Sequence, residues 1–273
     1  MHMEAISPRD LDAAVELSVR VRWPHRPADL SFLLGSGNGR IVRGEDGTRA
    51  LGVGLWIPYG DEVALMGMII VDPEYQGIGI GRRLVETLIV DAGDRTLLLN
   101  STDAGRSLYE KLGFRAIGTV LQRQGVNRER TSREPSIRDA APSDREAIVA
   151  LDARAFGAPR ASLIGRLLED SRAVVSLSGG KPSGYAMARA FGLGEVIGPL
   201  IASSDDEAIA LFRSVAASDF TRVDCRSEAA GFSAFLDSAG LRVVDRPTRM
   251  VLGEWTEPPH APHVFALAGH ALG

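Results

Sequence analysis

The sequence predicts an α+β fold made of two copies of one unit, each with a mixed, mostly antiparallel sheet flanked by helices. Two observations predict it: an internal repeat, and an alternation of helix and strand patterns along the first copy. Four residues near the start recur at a constant separation in mid-chain: Pro8, Asp10, Ala13 and Leu17 match Pro142, Asp144, Ala147 and Leu151. Three further pairs of segments match in the same order: 52–60 with 184–192, 66–71 with 197–202, and 100–114 with 227–241. We infer that one unit occurs twice.

The segment between the copies differs in composition from both of them. Residues 123–136 read RQGVNRERTSREPS, which is charged and nearly free of aliphatic side chains. Such a composition is typical of an exposed linker. We therefore predict one domain at 1–126, a linker at 127–135, and a second domain with a C-terminal tail at 136–273.

The first half of each unit reads as two helices and an antiparallel meander. In the first copy, Asp10 can cap a helix over 10–20, and a second short helix ends at Gly35. Strands are expected at about 39–43, 49–57 and 62–71, because turn sequences (GEDG and PYGD) separate these apolar runs.

The second half of the unit alternates helix and strand. A helix over 82–92 presents Leu84, Val85 and Leu88 on one face, and the apolar TLLLN at 96–100 predicts a buried strand. The next helix ends at Gly113, with Phe114 as its closing hydrophobic contact, before a strand at about 115–121. The complete order is ααβββαβαβ.

The composition restricts the functional classes. The chain has 273 residues, 45% hydrophobic and 24% charged, as in soluble globular proteins, and a net charge of −4 gives no sign of a nucleic-acid surface. Cys225, the single cysteine, excludes an intramolecular disulfide and a cysteine-ligated zinc site. The polar N-terminus and the lack of a long apolar run indicate neither a secretory signal nor membrane association. We expect a cytoplasmic protein without a metal site, and the sequence does not indicate its oligomeric state.

The sequence QGIGIGRR at 76–83 lies between a predicted strand and a predicted helix, where backbone N–H groups and the helix dipole favour an anion. It lacks the Gly-Lys-Ser/Thr of a P-loop and the G-x-G-x-x-G of dinucleotide sites. Arg82 and Arg83 oppose the dipole at roughly 0.3–1 kcal/mol each, which a bound pyrophosphate would offset. The alternative is a tight turn flanked by surface arginines.

Two segments carry a resemblance to a known family. VDPEYQGIGIGRRLVETL and NSTDAGRSLYEKLGF resemble the GNAT superfamily of acetyl-CoA-dependent N-acetyltransferases, whose motifs are V-x-P-x-x-Q/R-x-x-G-x-G/A and A-x-x-x-x-Y-x-x-x-G-F. The second copy resembles the degenerate C-terminal domain of tandem GNAT proteins, including an AFG-x-x-R segment at 155–160. The resemblance implies two tandem GNAT-like domains.

The resemblance also implies roles for individual residues. Acetyl-CoA would be the cosubstrate, with its pantetheine arm on the backbone of Ile69 and Val71, and Asn100 at the junction of strand and helix. The Ile69 N–H would polarise the thioester carbonyl, and Tyr109 would protonate the leaving thiolate. The residues expected to surround the pyrophosphate are Gln76, Gly77, Ile78, Gly79, Ile80, Gly81, Arg82 and Arg83.

The acceptor side is less defined. Family members often hold a basic glutamate where this chain has Leu65, so the sequence identifies no general base. We expect a small-molecule primary amine as the acceptor, and the sequence leaves open an amino acid, a polyamine, an antibiotic or a protein lysine. Candidate contacts to it are Trp23, His25, Arg26, Trp56, Tyr59 and Arg160. Their alternative roles are core packing for the tryptophans, surface positions for His25 and Arg26, and a surface or interdomain ion pair for Arg160.

The chemistry is assigned to the first copy. The second copy has SSDDEAIALFRSV in place of the glycine turn and Leu236 in place of Tyr109. The sequence therefore predicts an acetyl-CoA-dependent N-acetyltransferase in which the amine attacks directly in a ternary complex. Two alternatives remain: a non-catalytic CoA-binding sensor or adaptor, and a structural or protein-binding module in which the glycine turn is only a turn.

Overall fold

The computed structural model describes residues 1–45, 47–129, 131–217 and 219–273, which form an α+β fold, as predicted. Helices and strands of the first half are β1 His2–Ala5, α1 Leu11–Arg20, α2 Pro27–Leu34, β2 Asn38–Arg43, β3 Ala50–Tyr59, β4 Val63–Val71, α3 Ile80–Ala92, β5 Thr96–Ser101, α4 Asp103–Lys111 and β6 Arg115–Val126. Those of the second half are β7 Ile137–Asp139, α5 Arg145–Phe156, α6 Ala161–Asp170, β8 Arg172–Ser178, β9 Lys181–Phe191, β10 Gly194–Ala202, α7 Asp205–Val215, β11 Phe220–Arg226, α8 Ala230–Ser238, β12 Arg242–Asp245, β13 Thr248–Leu252 and β14 His263–Ala266.

The internal repeat corresponds to repeated local structure. Each copy begins with a short 3-10 turn whose aspartate accepts a backbone hydrogen bond, Asp10 from Ser7 N at 2.8 Å and Asp144 from Ala141 N at 2.7 Å. At the other end of the unit, Gly113 and Gly240 follow α4 and α8 with φ of +91° and +90°. A left-handed residue there ends a helix, and glycine adopts it without steric cost.

The apolar spacing predicted for α3 is found in the core. Leu84, Val85 and Leu88 are fully buried where α3 packs on the sheet. The contact is close, because a Cβ added at Gly54 of β3 would lie 2.7 Å from Leu88 Cδ1. This packing fixes the N-terminal end of α3 beside the end of β4.

The sheet shows an exchange that the sequence did not indicate. Its described strand order is β1-β2-β3-β4-β5-β13-β6-β11-β14-β10-β9-β8-β7. Strand β13 of the second half lies between β5 and β6 of the first, and the C-terminal part of β6 pairs with β11 of the second. Each half thus completes the sheet of the other. The boundaries at 126 and 136 stay a prediction, but they do not separate two closed sheets.

Strand β6 is longer than expected, reaching Val126 rather than about 121. The expectation that Arg123 begins an exposed linker is therefore wrong. Its side chain is buried because Asp237 lies 2.6 Å away and compensates its charge, and Ser233 accepts a further hydrogen bond at 2.6 Å. Strands β1 and β14 were also missed, since their sequences are too short to show a pattern.

The last residues of the chain return to the first half. Ala271 lies against β4, and a Cβ added at Gly67 would be 2.8 Å from Ala271 Cβ. Asn100 of β5 donates to His270 O at 2.8 Å. We call residues 267–273 the C-terminal segment. Over the residues that the structure describes, no helix is both long and apolar enough to cross a membrane.

Candidate active site

Strands β4 and β5 separate at one end and create the opening around which the site is built. They pair in parallel from Val63 with Thr96 to Met66 with Leu99, where the described register ends. Past that point β4 carries a bulge, because Val53 pairs with Ile70 while Leu55 pairs with Gly67.

The bulge gives β4 an unusual backbone. Met68 has φ of +53°, which is uncommon for a residue with a side chain and typical of functional sites. Beyond Met66 the described register of β4 with β5 ends, so the backbone around Ile69 can pair with an extended ligand. At the end of β4, Gln76 Nε2 donates to Val71 O at 3.1 Å.

The glycine turn forms an uncapped helix N-terminus next to the end of β4. Gly77 and Gly79 have φ of +80° and +92°, and a Cβ added at either would meet no atom within 4 Å. The N-cap of α3 is Gly79, and the first turn contains no acidic residue. The first helical N–H groups therefore lack a side-chain cap, in an open position suited to an anion.

Two side chains of the turn point elsewhere. Ile80 is buried in the core of the first half. Arg82 Nε donates to Glu86 at 2.8 Å on the surface of α3.

Tyr109 of α4 lies on the other side of the gap. Its ring packs edge-on against Phe114 at 5.7 Å between centroids, and only 8% of the residue is exposed. Gly105 leaves room for the ring, since a Cβ there would be 3.0 Å from Tyr109 Cε2. Burial raises the pKa of Tyr109 to about 12, so the phenol is protonated at neutral pH. The described residues offer its hydroxyl no hydrogen-bond partner.

The gap opens into a cavity of about 710 Å³ between the two halves. The first half contributes the α1–α2 loop and the separated ends of β4 and β5, and the second contributes β9, β11 and the C-terminal segment. Lining residues used below are Trp23, His25, Arg26, Ile69, Asn100, Tyr109, Arg189, Phe191, Arg222, Gly269 and His270. A volume of this order suits a small-molecule ligand.

The predicted site residues fall into three groups. Ile69, Asn100 and Tyr109 line the cavity together with Trp23, His25 and Arg26. Val71 and the 76–83 turn lie outside its lining, where β4 ends and α3 begins. Trp56, Tyr59 and Arg160 form the third group, which the structure places elsewhere.

The α1–α2 loop connects the halves through polar and aromatic contacts. His25 Nδ1 lies 2.9 Å from Ser18 Oγ, and its ring meets Phe191 edge-on at 5.6 Å. Burial, with the nearby Arg222 charge, lowers the pKa of His25 to about 4, so the ring is neutral. Arg26 pairs with Asp29 at 2.7 Å and donates to Ala190 O at 2.5 Å.

For the third group the expected substrate contact is wrong. Trp56 is 8% exposed in the core of the first half, with the Arg95 guanidinium 5.5 Å from its ring centroid. Tyr59 is buried and donates to Leu272 O at 2.6 Å.

Arg160 instead forms a buried ion pair with Asp152 at 2.7 Å. It also donates to Leu272 O and Gly273 O at 3.0 and 2.8 Å. Arg160 and Tyr59 therefore hold the C-terminal segment through hydrogen bonds between residues that are more than 100 positions apart in the sequence.

Sequence reasoning missed several charged or titratable residues of the cavity: Arg22, Asp29, Asp170, Arg189, Arg222, Asp245 and His270. Arg189 is the arginine of the apolar strand sequence GYAMARAFG, and that isolation is a signal that could have drawn attention to it. His270 lies in a short segment without a motif. Its Nε2 is 3.3 Å from Asp224 Oδ1, and burial lowers the pKa of His270 from its ordinary value of 6.5.

Comparison with known proteins agrees with this geometry. Residues 37–116, which contain the glycine turn and Tyr109, match the family described as Acetyltransferase (GNAT) domain, and residues 148–266 match a second family with the same description. The chain is 28% identical over 284 aligned positions to the uncharacterized N-acetyltransferase YitH of Bacillus subtilis, covering 100% of this chain and 97% of that one.

A second sequence relative aligns with part of this chain, and a solved structure aligns with all of it. N-alpha-acetyltransferase RimI of Mycobacterium tuberculosis is 31% identical over 128 residues, covering 42% of this chain and 78% of RimI. A crystal structure from Pyrococcus horikoshii superposes with a TM-score of 0.81 at 18% identity, over 100% of this chain and 95% of that one, which shows a shared fold.

Proposed function

Because the chain belongs to the GNAT acetyltransferase superfamily, with two such domains in tandem, we propose that it transfers an acetyl group from acetyl-CoA to a primary amine of a small molecule. One observation carries the proposal. Ile69 of β4 and Tyr109 lie at the separation of β4 and β5, and the uncapped N-terminus of α3 adjoins it, since a Cβ added at Gly81 would lie 3.4 Å from Val71 Cγ2.

The residues at this opening fit acetyl-CoA. The N–H groups at the start of α3 would bind the pyrophosphate, with no Cβ at Gly77 or Gly79 to block its approach. The backbone of β4 around Ile69 would bind the pantetheine arm as an added strand. Acetyl-CoA supplies the activated acetyl group as a thioester.

We assign two groups of the first half to the transfer, one hydrogen-bond donor and one general acid. The Ile69 N–H beside the bulge would donate to the carbonyl oxygen as negative charge develops there. Tyr109, whose pKa is raised by burial, would give its proton to the sulfur that leaves. The second copy offers no such groups at the matching positions, since Leu236 replaces the tyrosine.

The proton of the attacking amine needs an acceptor. The position at which family members often hold glutamate is Leu65, which is buried and apolar. We assign the role to His270 instead. Its lowered pKa keeps the imidazole neutral at pH 7, the Asp224 carboxylate 3.3 Å away would stabilise the protonated ring, and Asn100 fixes its backbone. One proton then leaves the amine to His270 and one leaves Tyr109 to the sulfur.

Calorimetry and a thiol-release assay test the proposal together. We expect acetyl-CoA to bind, an amine from a broad panel to release thiol, and Gly79→Glu to abolish both by placing a carboxylate at the anion site. Gly180→Glu is the matched control, because it adds the same single charge at an exposed turn glycine with φ of +77° and no atom within 4 Å of an added Cβ. Absence of acetyl-CoA binding refutes the proposal. Binding without turnover of any amine favours the CoA-binding sensor, for which the apolar Leu65 is the supporting observation.

A further inference from the structure

Arg189 is a buried cation without a carboxylate partner among the described residues. It lies in β9, is 8% exposed, and donates from Nη1 to Gly198 O at 3.2 Å and from Nη2 to Ala268 O at 2.7 Å. Backbone carbonyls satisfy two of its five N–H groups but carry no net charge. Burial lowers the pKa of Arg189 to about 10, which still leaves it protonated at neutral pH.

Other buried arginines of the chain have compensated charges. Arg160 pairs with Asp152 at 2.7 Å and Arg123 with Asp237 at 2.6 Å, and Arg249 pairs with Glu257. An uncompensated buried charge is costly, so proteins rarely keep one without a use. Arg189 is therefore an exception that requires an explanation.

Arg189 lines the cavity without an ion-pair partner of its own among the described residues, although the charges of Asp29 and Asp224 act on it and Asp170 and Asp245 also line the cavity. Arg189 and Arg222 lie over the Phe191 ring, with guanidinium carbons 5.7 and 5.3 Å from its centroid. The nearest pairs are internally neutral, because Arg222 is held by Asp224 and Arg26 by Asp29. Gly269 has no Cβ, and one placed there would lie 3.6 Å from Arg189 Nη2 on the cavity side.

We propose that Arg189 binds a carboxylate of the acetyl acceptor, so that the substrate class is an amino acid or a short peptide-like molecule with a free amine. This rests on the function proposed above. The planar guanidinium retains three N–H groups that can form a bidentate contact with a carboxylate, and a guanidinium without an ion pair of its own suits one monoanion. The second copy, which lacks the glycine turn, then supplies the acceptor's anion site.

The test uses matched acceptors that differ only in charge. Lysine, 6-aminohexanoate and glycylglycine are compared with their carboxamides in the thiol-release assay with acetyl-CoA. The wild type should prefer the acids in kcat/KM, and Arg189→Met should raise KM for the acids about 10- to 100-fold while leaving the amides nearly unchanged, as expected for a charge-assisted hydrogen-bonded contact. Arg189→Lys should lie between. Arg123→Met removes another buried arginine, on the opposite face of β6 from the cavity residues Gln122 and Gln124, and should keep the wild-type preference.

Binding of the same acids and amides is measured by calorimetry, so the result does not depend on turnover or on one variant. The proposal is supported if the wild type prefers the acids and Arg189→Met loses this preference while still binding acetyl-CoA. Equal binding and turnover of acids and amides by the wild type, or an equal loss for both in Arg189→Met, overturns it. A protein that selects acids but binds no acetyl-CoA would retain the anion site and refute the proposed function instead.

Discussion

Replacing Tyr109 by phenylalanine isolates the proposed general acid. The ring contact with Phe114 at 5.7 Å is kept, and the described residues make no hydrogen bond to the hydroxyl that would be lost. The free energy of unfolding should therefore change by less than about 0.5 kcal/mol. General acid catalysis contributes roughly 10²–10⁴-fold, or about 2.7–5.4 kcal/mol of activation free energy, so kcat should fall by that factor.

The assay is steady-state thiol release at about pH 7, where a phenol with its pKa raised to about 12 is fully protonated. If the hydroxyl acts only on the leaving sulfur, kcat and kcat/KM fall together and acetyl-CoA binding is unchanged. Tyr75→Phe, a half-buried tyrosine beside Arg49 and outside the cavity lining, is the control. A Tyr109→Phe variant with kcat within about threefold of the wild type refutes the assignment.

Three further predictions concern the proton acceptor, the C-terminal segment and the glycine turn. The pKa of His270 is lowered below 6.5, so the wild-type kcat/KM should rise with pH below 6.5 as the imidazole loses its proton. His270→Gln should lack this rise, and a pH profile unchanged in this variant contradicts the role of His270 as proton acceptor. Arg160→Met leaves the buried Asp152 carboxylate unpaired and should reduce the free energy of unfolding in urea by roughly 3–5 kcal/mol; a loss below about 1 kcal/mol would show that the pair does not hold the segment. Gly79→Ala must adopt a φ of +92° and should cost about 1–2 kcal/mol in the same assay, whereas Ser107→Ala on the exposed face of α4 should cost little.

The features that the sequence revealed are those encoded by neighbouring residues. The glycine turn, the helix closed at Gly113 and the position of Tyr109 depend on spacings of a few residues, where backbone conformation and apolar periodicity act directly. The repeat was visible for the same reason, since each match lies within a short segment. Together they identified the elements around the β4–β5 opening and the half that contains them.

The acceptor side depended on contacts that no local pattern encodes. Asn100 meets His270, Tyr59 meets Leu272, and Arg189 meets Ala268, over separations of 170, 213 and 79 residues. Arg160 illustrates the consequence, because its expected substrate contact proved to be an ion pair beneath the C-terminal segment.

The sequence by itself thus determined the α+β units, their duplication and the glycine turn before α3, because each is fixed by interactions within one helix, strand or turn. Only the tertiary structure decided which side chains share the cavity. Strand β13 completes the sheet of the first half, β6 extends into the second, and the C-terminal segment crosses between them. These contacts are selected by burial and by the pairing of charges such as Arg160 with Asp152, and burial exists only once distant segments have packed.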